Sequence, residues 1–408
     1  MLWCERSRTG AMAVRSTGRA GGVCVRSASG SSGERASSER NVVLLPGDGI
    51  GPEIAQQAQA VVAEGARIAD NVAISFQQCL MGGSAIDHYG DPLPPDTLHA
   101  AKHSDGVLLA AIGGPTWESC PKGMKPEDGL LRIRSELGAF ANLRPAIVMP
   151  ELADASSLKR EIVQGTDLLV VRELTGGIYF GDPRGDGNGI GYNTMKYSEQ
   201  EVERIARVAF NAALCRSGRV CSIDKANVLE VSQLWRRVVS NVHAQEFSSA
   251  QLEHMYVDNA AMQLVANPKQ FDVILASNIF GDILSDEAAM LTGSIGMLPS
   301  ASVPEEGPGI FEPVHGSAPQ IAGNDSANPL AMILSGAMLL RHQLGLEHSA
   351  RLVERAVRST LQDGLRTADL QGGENTRLVG CTEMGDACLQ RLESEASHRY
   401  GEEIKASA

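Results

Sequence analysis

Residues 44–54 read Leu44-Leu45-Pro46-Gly47-Asp48-Gly49-Ile50-Gly51-Pro52-Glu53-Ile54, a short apolar strand that runs into a glycine-rich turn and then a helix opened by Pro52. Proline suits that first turn because the N–H it lacks has no intrahelical partner there. Strand, glycine turn and helix N-terminus together invite a nucleotide reading. The spacing does not support it. After Gly47 and Gly49 the third glycine falls one position early, Pro52 stands in its place, and no strand ending in an acid follows at the usual distance. The stretch is either a tight strand-to-helix junction or a phosphate contact of another kind, and any dinucleotide site must be built differently from a Rossmann one.

Working outward, runs at 41–45, 106–112, 167–171, 220–223 and 271–276 are β-branched or Leu-rich, which predicts strands. Most end in Gly, Asp or Asn. Between them, 199–214 carries Val202, Ile205, Ala206 and Ala209 at helical spacing, and 350–361 is also amphipathic. The pattern is α/β with at least one large sheet, and active groups are expected at its strand ends.

The chain has 408 residues, 43% hydrophobic and 21% charged, enough for about two globular domains. No apolar run approaches the length of a membrane span. A net charge of -13 without a Lys/Arg stripe argues against a nucleic-acid partner. A small anion would therefore have to be met by a local arginine cluster. Residues 1–40 stand apart, rich in Ser, Arg, Gly and Ala, with only Glu5, Glu34 and Glu39 as acids. That composition predicts an organelle transit peptide, with folding from about Asn41; a disordered tail or misassigned start is the other reading. Eight cysteines, at 4, 24, 79, 120, 215, 221, 381 and 388, form no Cys-x-x-Cys pair and suit a reducing compartment. Cys215 with Cys221, or Cys381 with Cys388, are the candidate redox pairs.

Between Asn278 and Gly296, a helix would set the carboxylates of Asp282 and Asp286 a turn apart on one face. Such a pair is either a solvated helix face or a site for Mg²⁺ or Mn²⁺, which prefer oxygen ligands and commonly take one or two carboxylates.

Six ordered motifs carry a resemblance: 47–53, Asn142-Leu143-Arg144-Pro145, Arg172-Glu173-Leu174-Thr175-Gly176-Gly177-Ile178-Tyr179, Lys225-Ala226-Asn227-Val228-Leu229, the aspartate segment, and His315-Gly316-Ser317-Ala318-Pro319. From Asn41 onward the chain resembles the isocitrate/isopropylmalate family of β-decarboxylating dehydrogenases. The resemblance implies oxidation of a 2-hydroxy acid by NAD, loss of CO₂, and a divalent metal, Mg²⁺ or Mn²⁺, as Lewis acid. It assigns the metal to Asp258, Asp282 and Asp286, with Asp258 reaching from a second subunit and also facing substrate. Arg134, Arg144 and Arg172 match its substrate-carboxylate ligands, for which the planar guanidinium fork is suited. Lys225, also from the partner, would relay the hydroxyl proton, and Tyr179 would protonate carbon after CO₂ departs. A base role implies that burial or neighbouring cations lower the lysine pKa.

Substrate choice turns on Glu127, Leu130, Leu131 and Arg134, which share one helical face. Arg134 can hold a carboxylate while Leu130 and Leu131 cover a branched alkyl group or serve simply as core. Burying three carbons at about 0.8 kcal/mol each gives roughly 2.4 kcal/mol in favour of 3-isopropylmalate, and a third carboxylate against leucines would be penalised. By resemblance, cofactor contacts fall to Gly114, Glu127, His315, Gly316, Ser317, Ala318, Gln320 and Asn328. Members using NAD usually carry aspartate at 320; Gln320 still bonds a ribose hydroxyl but repels a 2′-phosphate less.

The implied fold is a two-domain α/β architecture with one continuous mixed sheet. Residues 41–139 and 292–408 form the first domain, and 140–291 the second, which carries the contacts of a homodimer with shared sites. A leucine-biosynthetic enzyme with a transit peptide fits the chloroplast stroma; the mitochondrial matrix is the alternative. Isocitrate, tartrate or longer alkylmalates remain rival substrates, and a non-catalytic regulatory subunit or a metabolite-binding module are rivals of another class.

Overall fold

The computed structural model describes residues 39–370 and 375–406, with side chains described through residue 397. Apart from Glu39 and Arg40, the transit segment expected from the sequence lies outside the described residues.

In chain order the strands are β1 (Glu39–Gly47), β2 (Ala73–Gln78), β3 (Gly106–Ala111), β4 (Ala141–Ile147), β5 (Asp167–Glu173), β6 (Gly185–Gly187), β7 (Ile190–Tyr192), β8 (Arg219–Asp224), β9 (Gln251–Tyr256), β10 (Val273–Ala276), β11 (Pro299–Val303), β12 (Ile310–Pro313), β13 (Leu365–Arg366) and β14 (Arg377–Leu378). The helices are α1 (Gly51–Asp70), α2 (Gly83–Tyr89), α3 (Pro95–Lys102), α4 (Pro126–Glu136), α5 (Arg160–Val163), α6 (Glu199–Leu214), α7 (Glu230–Glu246), α8 (Val257–Ala266), α9 (Asn278–Ala289), α10 (Leu330–Met338), α11 (Glu347–Gln362) and α12 (Cys381–Ala406).

Ten strands make one mixed sheet in the order β2-β1-β3-β12-β11-β4-β5-β10-β8-β9. The pairings β12–β11, β11–β4 and β4–β5 are antiparallel and the others parallel. The expected α/β sheet is present, and all five strands read from the sequence belong to it.

The 44–54 turn is a structural junction. Asp48 accepts N–H groups from Gly83 (2.8 Å), Ser84 (2.7 Å) and Gly113 (2.8 Å), so its carboxylate ties the start of α2 and the loop after β3 to its own turn rather than facing a ligand. Gly47 has φ +67°, and a Cβ there would lie 1.9 Å from the carbonyl oxygen of Ala111. Only glycine fits so close an approach in a left-handed conformation. Asp48→Ala strands three N–H donors, and urea unfolding is expected to record a loss of about 3 kcal/mol or more.

One face of the sheet is covered without a break. Leu44, Leu143, Val171, Ala301 and Phe311 join α1, α6, α7, α10, α11 and α12 in one apolar core. The opposite face carries two separate cores, one packing Leu45 and Leu109 on Ile133 of α4, the other Val170 and Ile223 on Leu284 of α9. Between them, strand alternation turns Asn142, Arg144, Ser300, Ser302 and Glu312 toward the side where apolar cover stops. The cleft lies in that gap.

None of the six described cysteines is in a disulfide. Cys381 and Cys388 stand about 10 Å apart along α12, too far for a disulfide. Burial pushes the Cys221, Cys381 and Cys388 thiols up to about 12. Neither redox pair considered from the sequence therefore offers two ready thiolates. Iodoacetamide at pH 8 is expected to leave these three unlabelled in native protein and to modify them after denaturation, as read by mass spectrometry.

Candidate active site

A cleft of about 440 Å³ is lined by Glu127, Leu130, Leu131 and Arg134 from α4, Arg144 and Ser300 from the mid-sheet strands, Arg172, Tyr179, Asn278, Asp282 and Glu312. The α4 face inferred from the spacing is thus one wall. Arg172 stands near the C-terminal end of β5, and the N-terminal half of α9, which follows β10, supplies Asn278 and Asp282.

The cations and acids meet in one network. Arg172 donates from Nη1 to Asp282 and from Nε (3.0 Å) and Nη2 (2.8 Å) to Oδ1 of Asn278. Arg144 donates to Asp286 (2.9 Å), Ser285 (2.7 Å) and Asn142 (2.8 Å), and its Nη2 lies 3.6 Å from Asp282. Tyr179 donates its hydroxyl to Asp282 at 2.9 Å. Arg134 pairs with Glu312, both almost buried. Burial lowers Arg172 to about 10, with the neighbouring Arg144 guanidinium adding to the effect, and burial lowers Arg144 as well. Arg172 and Arg144 remain cationic near neutrality and depend on acids, or on anions from outside, for charge balance. Burial and then Asp282 hold the Tyr179 phenol above its ordinary value, which keeps it a proton donor.

Lys225 and Asp258 are not lining residues of this cleft. The Lys225 ammonium lies 2.7 Å from Oδ1 of Asp258, in a pair at the ends of β8 and β9. That is the sheet edge from which α9 also starts, yet Lys225 faces a carboxylate where the sequence reading expected burial or cations. Asp258, Asp282 and Asp286 do not come together within one protomer. Among the described residues, the one grouping of three potential ligand side chains within 4.8 Å is Glu53, Asp325 and Cys381. Asp325 there has a structural task, accepting from the Thr382 N–H (2.7 Å) and hydroxyl (2.8 Å) at the start of α12.

A second groove of about 550 Å³ adjoins the cleft through His315 and Gly316. Ala318 and Asn328 line it as well, as do Ile50, Ser294, Gly296 and Asp369, which the sequence reading did not select. Gly114, Ser317 and Gln320 line neither cavity. The Ser317 hydroxyl donates to the Gly113 carbonyl (2.7 Å), and Gln320 is exposed. Asn328 and Ser294 both donate to Asp369, which organises the groove floor. Half-buried His315 keeps a buried Nε2 without a hydrogen-bond partner, and desolvation lowers its pKa, so it presents a neutral ring.

A two-cavity site on a mixed sheet, with arginines and carboxylates in one cavity, defines a class. The chain belongs to the isocitrate/isopropylmalate dehydrogenase family, whose model matches residues 41–388. Among its relatives, the chloroplastic 3-isopropylmalate dehydrogenase of Brassica napus is 56% identical over 375 residues, covering 91% of each chain. The 3-isopropylmalate dehydrogenase of Synechocystis sp. is 58% identical over 360 residues, 86% of this chain and 98% of that one. Among solved structures, isocitrate dehydrogenase from Methylococcus capsulatus superposes with a TM-score of 0.76 at 32% identity, over 86% of this chain and 99% of that one.

Proposed function

We propose that this chain catalyses the NAD-dependent oxidative decarboxylation of 3-isopropylmalate to 4-methyl-2-oxopentanoate and CO₂ in leucine biosynthesis. The observation that carries the reading is the α4 wall, where Leu130 and Leu131 stand beside Arg134 in the cleft that also holds Arg144, Arg172 and Asp282. Carboxylates of the substrate take the arginines, and its isopropyl group takes the leucines. Neither leucine satisfies the third carboxylate of isocitrate.

Asp282 lines the cleft and Asp286, a turn further along α9, is exposed beside Arg144; their carboxylate oxygens fit a hard cation. Together with Asp258 of the partner subunit they would hold Mg²⁺ or Mn²⁺. When bound, the cation supplies a Lewis acid for negative charge developing on the substrate oxygens. His315, Gly316, Ala318 and Asn328 would line the NAD groove, with Gly114, Glu127, Ser317 and Gln320 near it, and NAD supplies the hydride acceptor. The unpartnered Nε2 of His315 suits a polar ligand atom. Lys225 of the partner subunit takes the hydroxyl proton, and Tyr179 then gives its phenolic proton to carbon. Exposed apolar residues of α8 and α9, Met262, Val265 and Ile283, support a homodimer interface beside both sets of acids.

We assign residues 41–139 with 292–408 to one domain and 140–291 to the other, joined across β11 and β4. Residues 1–40 are read as a plastid transit peptide, directing the enzyme to the stroma. No helix among the described residues is long and apolar enough to cross a membrane.

The deciding assay follows NADH formation with Mg²⁺ by protein starting near Asn41, offering NAD or NADP with 3-isopropylmalate or isocitrate. Turnover confined to 3-isopropylmalate is expected, and isocitrate turnover alone would overturn the reading. Replacing Leu130 and Leu131 together with serine is expected to cut kcat/KM for 3-isopropylmalate by about 50-fold relative to malate, the equivalent of three unburied carbons.

A further inference from the structure

We propose that Asn278 is a positioning residue that fixes the orientation of Arg172, an assignment that rests on the carboxylate-binding role proposed for Arg172. Asn278 is 1% exposed, and its amide has all its usual partners. Oδ1 accepts from Nε and Nη2 of Arg172 at 3.0 and 2.8 Å, while Nδ2 donates to the carbonyls of Leu174 (2.9 Å) and Gly176 (3.0 Å). The amide can face only one way, because a guanidinium only donates and a carbonyl only accepts.

Two consequences follow. With its Nε–Nη2 side occupied, Arg172 keeps the Nη1–Nη2 end as its one remaining two-pronged fork, the end that already meets Asp282. A substrate carboxylate therefore finds that fork at a set angle beside the acid. The bonds to Leu174 and Gly176 also span the turn between Arg172 and Tyr179. The same turn is held from behind, where the Asn278 N–H donates to the Tyr197 hydroxyl at 2.8 Å and the Gly176 N–H donates to buried Glu173 at 2.7 Å. Gly176 permits this closeness, since a Cβ there would come within 2.8 Å of the Tyr197 ring. One amide thus ties the fork of Arg172, the approach to Tyr179 and the first turn of the helix that carries Asp282.

The test is a double-mutant cycle. Asn278→Ala is made in the unsubstituted protein and in Arg172→Ala, and KM for 3-isopropylmalate is compared. We expect a rise of about 10²-fold in the first background, the scale of a misplaced binding group, and less than about 3-fold in the second, where no guanidinium is left to orient. Equal factors in both would overturn the proposal, leaving Asn278 a purely structural residue. Asn278→Asp is the companion variant: it keeps the acceptor for Arg172 but loses both donors to the turn. Its KM is expected within a few-fold of the unsubstituted value while kcat falls about 10-fold. A KM raised as far as in a loss of Arg172 would sink the proposal, and this arm decides if the alanine variant does not fold. An unsubstituted protein inactive on 3-isopropylmalate would instead count against the proposed reaction itself.

Discussion

Lys225→Ala is expected to lower kcat by 10²- to 10⁴-fold, the range that a positioned proton-transfer group contributes, while KM for 3-isopropylmalate shifts little. The lysine does not line the cleft of its own protomer, where the three arginines proposed to bind substrate stand. Its ammonium pairs with Asp258 on the same chain, 2.7 Å away, so the variant also leaves that acid unpaired. Asp258 is 63% exposed, and water can solvate it, which makes a folding defect the weaker explanation for lost turnover. An undiminished kcat would remove Lys225 from the mechanism.

The stronger form of this prediction concerns two inactive proteins. If Lys225 and Asp258 serve the cleft of the neighbouring subunit, Lys225→Ala and Asp282→Asn dimers each lack one half of every site. Mixed and allowed to exchange subunits, they form hybrid dimers in which one site draws Asp282 from one chain and Lys225 from the other. Random exchange leaves about a quarter of all sites whole, and activity should return to about that fraction. Sites built within single chains would give no recovery at all, because every chain carries a lesion. The outcome thereby separates a shared site from a merely dimeric enzyme.

What could be read from the sequence follows a physical division. Strands β5 and β10 are apolar on both faces along most of their length, so they declare themselves as runs. The α4 wall is equally legible, because residues on one helical face must recur at fixed spacing. Strands β4, β11 and β12 were not anticipated, and they form the middle of the sheet. Arg144 and Pro145 interrupt β4, and small serines make up much of β11, because this is where one face of the sheet exchanges apolar cover for the cleft. The functional gap is therefore what hides the strands from a hydrophobicity pattern. Asn278 and Glu312 escaped notice for a related reason: a single polar residue carries no local sign that it will be buried. Of the groove residues, Ser294 and Gly296 share one segment and Asp369 lies far from them in the chain, a pairing that no spacing rule connects.

Asp282→Asn should separate two functions of one carboxylate by moving them in opposite directions. Asp282 now serves Arg172, Tyr179 and, at 3.6 Å, Arg144. It is also the acid best placed to join Asp286 in holding a divalent ion. Losing its charge would remove a proposed metal ligand and with it several kcal/mol of Lewis-acid stabilisation, so kcat/KM should fall at least about 10³-fold. Mn²⁺ should bind much more weakly, as titration in the presence of substrate would show. Without metal, the expectation reverses. Arg172 is buried and Arg144 nearly so, desolvation depresses both, and this acid partly neutralises them. Freed from it, they should bind 3-isopropylmalate in the presence of a chelator more tightly than the unsubstituted protein does, which calorimetry can measure. Weaker metal-free binding would mean that Asp282 is needed to aim the arginines rather than to compete for them. In the unsubstituted protein, substrate carboxylates would engage the guanidiniums of Arg172 and Arg144, leaving Asp282 free to help hold a cation, so that each ligand would lower the cost of binding the other. Metal and substrate should accordingly bind with positive coupling, each raising the other's affinity by the same factor, and Asp282→Asn should reduce that factor toward one.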